Sequence, residues 1–170
     1  MVAMIPSIVS AAPTAAGKLR FLAISVAAAL TAAAAAHAST LLAIPVWAMF
    51  MGWVSYYTRG HSGRDGLVNY ACLLLGNVLG LLAVMAVGVL APSLGSFALP
   101  IVVLMIATLV VSLRAMPLLS NIPAYFLGLI TVFAAHIQPG LYVLVELGTA
   151  GAIGSSAAWF ASCWQKRLAT

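Results

Sequence analysis

Few of the 170 residues carry side chains that do chemistry, and only two of them are acidic. Asp65 lies in the polar stretch "TRGHSGRDG" (Thr58 to Gly66), whereas Glu146 lies in the apolar run "LYVLVELGTAG" (Leu141 to Gly151). A carboxylate at bilayer depth costs about 3 kcal/mol on insertion scales, so Glu146 is a candidate for holding a cation or coupling solute movement to pH. The plainer alternative is a side chain that reaches the nearer interface beside Tyr142. Asn77, between glycines in "LGNVLG", could line a hydrated path or make an interhelical hydrogen bond. Ser55 and Thr131 are hydroxyls inside apolar runs. Ser120 and Asn121 precede Pro123 in "LLSNIPAYFLGLITVFAAH". There they could face water at an interrupted helix, or cap a short helix with Pro123 in its first turn. His37 and His136 fall at ends of apolar runs, and Cys72 and Cys163 lack metal-ligand spacing, so neither metal nor cofactor is expected. With no nucleophile elbow, HExxH, P-loop or CxxC, an enzyme is not expected.

These residues sit in a chain that is 65% hydrophobic and 5% charged, against roughly 25% charged in soluble domains. The lipid bilayer is therefore its solvent, and the fold class is an all-α polytopic helical bundle. The scattered basic residues leave no nucleic-acid footprint. Hydropathy and punctuation predict six transmembrane helices near residues 19–38, 40–57, 67–91, 97–113, 118–136 and 141–163. Turns fall at Ser39-Thr40, Thr58 to Gly66, Ala91 to Ser96, Arg114 to Pro117 and Gln138 to Gly140. Residues 1–16 read as a flexible cytoplasmic tail, 17–165 as the membrane domain and 166–170 as a short cytoplasmic C-terminus. With the N-terminus inside, Lys18, Arg20, Arg59, Arg64, Arg114, Lys166 and Arg167 all fall on the cytoplasmic side, as the positive-inside rule requires. The early basic residues and "AHAS" (Ala36 to Ser39) imitate a cleavable signal, but the apolar run between them reaches full spanning length. Trp47, Trp53, Trp159 and Trp164 suit interfacial belts.

The second and fifth spans share a pattern. "IPVWAMFMGWVSYY" and "IPAYFLGLITVF" each carry Ile-Pro, then Phe-x-Gly, then a hydroxyl three positions on. This pairs Phe50 with Phe126, Gly52 with Gly128, and Ser55 with Thr131. Leu75-Gly76-Asn77 and Leu147-Gly148-Thr149 match more loosely. Segments three spans apart run in opposite directions, the arrangement of a 3+3 inverted repeat, and interrupted helices in such repeats point to a transport path. The expected path is Gly52, Ser55, Asn77, Ser120, Asn121, Gly128, Thr131 and Glu146. Gly76, Gly80, Gly148, Gly151 and Gly154 are expected at close helix crossings, inside the subunit or between subunits of a homo-oligomer.

The segments "WAMFMGWVSYY" and "LLSNIPAYFLGLITVFA" together resemble the domain-of-unknown-function 1097 family of small bacterial inner-membrane proteins (YcdZ-like). Trp47, Ala48, Phe50 and Gly52 match its first motif. Leu118, Leu119, Ser120, Pro123, Phe126, Gly128, Phe133 and Ala134 match its last, although Ala124 stands where a glycine often follows the proline. The resemblance spans roughly Leu41 to Trp159. It implies a multi-span helical fold in the bacterial inner membrane, and no established substrate or catalytic residue. A channel or simple transporter for a small uncharged or cationic solute is expected, the alternative being a structural or assembly subunit of a membrane complex. A channel should show a polar path through Gly52, Ser55, Asn77, Gly128 and Thr131. An assembly subunit should have these sealed and a Gly/Ala face exposed.

Overall fold

The computed structural model describes residues 15–136 and 138–169. Among them the chain forms six α-helices: α1 (Ala15–Leu41), α2 (Val46–Tyr57), α3 (Gly63–Leu94), α4 (Ala98–Ser112), α5 (Ile122–Ala135) and α6 (Leu141–Ala169), with single 3₁₀ turns flanking α4. No strand occurs among the described residues. At 1.5 Å per residue α1, α3 and α6 are about 40, 48 and 43 Å long, and α2 and α5 only about 18 and 21 Å. Three stretches are long and apolar enough to cross a membrane: Gly17–Leu41, Gly63–Ala115 and Leu141–Leu168. The middle one folds back on itself at Gly95, whose φ of 53° and ψ of −128° suit glycine alone. It therefore contains both α3 and α4. This is a membrane protein built from apolar helices.

Several element ends differ from the sequence reading. The turn expected at Ser39-Thr40 lies inside α1, which continues to Leu41, and the chain reverses at Ala43 in the left-handed region (φ 54°). Pro92 does not end α3, which runs two residues past it. The helix loses one hydrogen bond there, a modest cost close to its end. The polar loop is shorter than expected because Ser62 caps α3, accepting from the Asp65 N–H, and Gly63 to Gly66 are already helical. The runs 40–57 and 118–136 are not helical throughout. Each contains a short helix that begins at its proline: Pro45 is the N-cap of α2, and Pro123 occupies the first turn of α5. The N-terminal tail lies outside the described residues up to position 14, while residues 166–169 continue α6.

Two helix pairs form the heart of the bundle, α2 along α6 and α5 along α3, with α1 antiparallel on the outside of α6. α4 rests mainly on α3 and leaves an apolar groove of about 450 Å³ against α5, bounded by Val103, Phe126 and Phe133. Three cross-links fix which helix ends lie together. Arg20 Nε donates to the Leu168 carbonyl (2.6 Å), Lys166 Nζ to the His61 carbonyl (2.8 Å), and Arg59 to the Pro117 carbonyl (3.1 Å). The start of α1, the 58–62 loop, the approach to α5 and the end of α6 therefore share one end of the bundle. All seven lysines and arginines lie there.

Candidate functional site

Both core pairs are built around glycine contacts. A Cβ on Gly52 would overlap the backbone of Gly151, and one on Gly154 would overlap the Met49 carbonyl and crowd Trp53 N. On the other pair, a Cβ on Gly128 would overlap the Leu73 carbonyl and lie 2.7 Å from Asn77 N, while one on Gly76 would strike the Tyr125 carbonyl. Gly80 adds a contact with Val132. Helices this close exchange side-chain packing for backbone contact, which only glycine permits. Gly148 lies outside this pattern and faces the Leu74 side chain. Gly76 and Gly154 each meet a backbone carbonyl of the short helix they cross, Tyr125 and Met49, and Gly148 does not.

The polar residues at these crossings are sealed. Ser55, Asn77 and Thr131 are buried. Thr131 Oγ1 donates to its own helix at the Leu127 carbonyl (2.6 Å), and Ser155 Oγ bridges α6 to α2 at the Gly52 carbonyl (2.9 Å). Two buried groups at the α3–α5 crossing have no hydrogen-bond partner: the Tyr125 hydroxyl, and both Nδ2 and Oδ1 of Asn77, which is 1% exposed.

A second cluster ties the basic end together. Asn69 Nδ2 donates to the carbonyls of Tyr56 (3.0 Å) and Arg59 (2.7 Å), and Ser55 Oγ donates to the Asn69 carbonyl (3.2 Å). Asn121 Nδ2 donates to Asn69 Oδ1 (2.6 Å) and to Thr58 Oγ1 (2.7 Å), while its Oδ1 caps α5 by accepting from Ala124 N. Arg59 also donates to Ser120 Oγ (3.0 Å). Asn121 is thus the cap, and Pro123 starts a helix whose first N–H groups need no intrahelical partner. Asn69 carries more of this cluster than any residue the sequence pointed to. Its signal was an amide in the first turn of an apolar run, beside a loop that needed closing.

The family model described as "Protein of unknown function (DUF1097)" matches residues 22–162. The chain belongs to this family. No curated protein and no solved structure matches it. The matched region of the DUF1097 chain covers both glycine crossings and the asparagine cluster, from the first turns of α1 to late α6.

Glu146 stands apart from both groups in this DUF1097 protein. It is half-buried on α6, in an open groove with Leu42, Ile44 and Thr149, away from the basic end. Tyr142 donates to the Gln138 carbonyl, not to this carboxylate (2.8 Å). The thiols of Cys72 and Cys163 are free, and no cluster of three or more His, Cys, Asp or Glu forms a metal site among the described residues.

Proposed function

We propose that this DUF1097 protein is a six-span inner-membrane transporter with both termini in the cytoplasm, built as a 3+3 inverted repeat. It moves a small uncharged or cationic solute and is not an enzyme. The observation that carries the reading is the pairing of the core helices. Exchanging the first three helices with the last three turns the α2–α6 contact into the α5–α3 contact. Gly52 then corresponds to Gly128, Met49 to Tyr125, Gly154 to Gly76 and Ser155 to Asn77. Two equivalent crossings, each joining one half to the other, are what a rocking carrier needs, because one crossing can loosen as the other tightens.

The sealed positions argue against a standing open pore: a carrier meets them only in an occluded state, whereas an assembly subunit meets them as they stand. The basic end disfavours a bulky anionic substrate leaving on that side only weakly, but almost no polar surface lies in the spans to hold one. Segments 42–45 and 116–121 supply the extra length that the short helices α2 and α5 lack for a crossing of about 30 Å. A second reading, an assembly subunit or homo-oligomer, is favoured by the alanine-rich α1, where only 6% of the apolar window is buried.

The discriminating experiment is an unbiased solute-flux screen in proteoliposomes, with empty vesicles and Gly52→Leu protein as controls. Transport requires a solute whose flux exceeds both controls. If every neutral and cationic solute leaks at the empty-vesicle rate while the protein pulls down a constant membrane partner, the assembly reading replaces it.

A further inference from the structure

We infer that the groove between α3 and α6 at the basic end is a binding site for one anionic phospholipid of that leaflet. The groove holds about 240 Å³ and is floored by Gly63 and Gly66, with Tyr70 on one side and Trp159 on the other. It opens sideways toward the bilayer, because Leu67 is 71% exposed and Trp159 40% exposed. Glycines at 63 and 66 make the floor, and the indole is its wall. A Cβ on Gly63 would lie 3.5 Å from Trp159 Nε1, so any larger side chain there would enter the groove. This apolar slot accepts the upper part of an acyl chain, and an indole edge at its mouth suits the ester and phosphate level of a bilayer.

Charge selects the headgroup. The seven basic residues share this end with a single acid, Asp65, which is hydrogen-bonded by the Ser62 hydroxyl (2.6 Å) and lies near Arg59 and Arg64, so the end stays net cationic. Arg64 is exposed in the first turn of α3, between the two floor glycines. Lys166 reaches the same corner, anchored on the carbonyl of His61 just ahead of Gly63. A zwitterionic headgroup would gain little from this field, whereas an anionic one is attracted by each nearby cation. The α4–α5 groove is apolar throughout, and the Glu146 groove lies away from the basic end, so neither offers this combination.

The site does not depend on what the protein transports. Full-length protein in mild detergent is titrated with dioleoyl phosphatidylglycerol or dioleoyl phosphatidylcholine, and followed by native mass spectrometry and thermal unfolding. The expected result is a retained phosphatidylglycerol adduct and a midpoint raised by about 3 °C or more, with neither effect from phosphatidylcholine. Arg64→Gln should weaken retention about fivefold, and Gly63→Leu should abolish it by filling the slot. Arg114→Gln, an exposed arginine at the same end but away from the groove, should leave it unchanged. Equal retention of the two lipids overturns the site. So does an Arg114→Gln loss as large as that of Arg64→Gln, which would mark a diffuse surface charge. If Gly63→Leu fails to fold, the two arginine variants decide.

Discussion

Two buried asparagines on α3 behave oppositely. Asn69 fills both donors and its acceptor, so Asn69→Leu strands the carbonyls of Tyr56 and Arg59 and leaves the Asn121 Nδ2 with Thr58 Oγ1 alone. It is expected to cost about 1–3 kcal/mol for each group left dry. Asn77 has nothing to lose in this conformation. Asn77→Val, apolar and nearer to asparagine in volume than leucine is, should raise the thermal midpoint in detergent while lowering flux of any transported solute, because a polar group kept without partners is expected to find them in another state. A midpoint that falls with Asn77→Val would show that the amide is already satisfied. Glu146→Gln should leave folding and flux as in the wild type, given its place outside both clusters. A changed pH–flux curve in that variant would return Glu146 to the path.

The glycine crossings were legible at the scale of elements because helices that touch through backbone must carry small residues at their contact points, whatever else they contain. Gly76 and Gly154 stand out on that ground, and Gly52 and Gly128, read from the sequence as path residues, meet backbone at the same crossings. The lengths of α2 and α5 were not legible. Leu118 and Leu119 before α5, like Leu42 and Ile44 before α2, are as apolar as the helices they precede, and hydropathy does not distinguish extended from helical backbone. Ser39 and Thr40 misled for a related reason: Thr40 Oγ1 folds back on the Ala36 carbonyl (3.0 Å), which lets a polar residue continue a helix. The packing itself is tested by Gly128→Leu against Gly88→Leu. The first meets α3 backbone and the second meets nothing within 4 Å, so a loss of about 3 kcal/mol or more is expected for the first and under about 1 kcal/mol for the second. Gly60 would be a poor control, since its φ of 61° and the nearby Asp65 side chain penalise any replacement. Equal midpoints for the Gly128 and Gly88 variants would remove the crossing.

At the scale of the whole molecule, the grouping of every basic residue at one end sets an orientation test. Cysteines placed at the exposed positions Ser93 and Gln138 should react with an impermeant thiol reagent added outside intact cells, and one at Ser62 should react only after permeabilisation. Labelling of Ser62→Cys from outside would invert the bundle.

The cross-element hydrogen bonds also divide the bundle lengthwise. Those at the basic end join α1 to α6 and the 58–62 loop to α3, α5 and α6, whereas beyond the crossings the described side-chain bonds are local, such as Tyr142 to Gln138, apart from Tyr70 to the Gly148 carbonyl (3.0 Å). This distribution predicts an opening free energy that declines along each long helix away from the basic end. α3 serves as the ruler: in deuterium exchange, backbone amides at residues 84–91 should exchange well before those at 68–75, although both stretches are helical and 84–91 is the more apolar. Uniform protection along α3 would mean that the two rims open together. A graded profile would mean that thermal breathing already bares the rim that lacks basic residues, leaving the asparagine-clamped rim as the one that needs a ligand, a potential or a partner to part it.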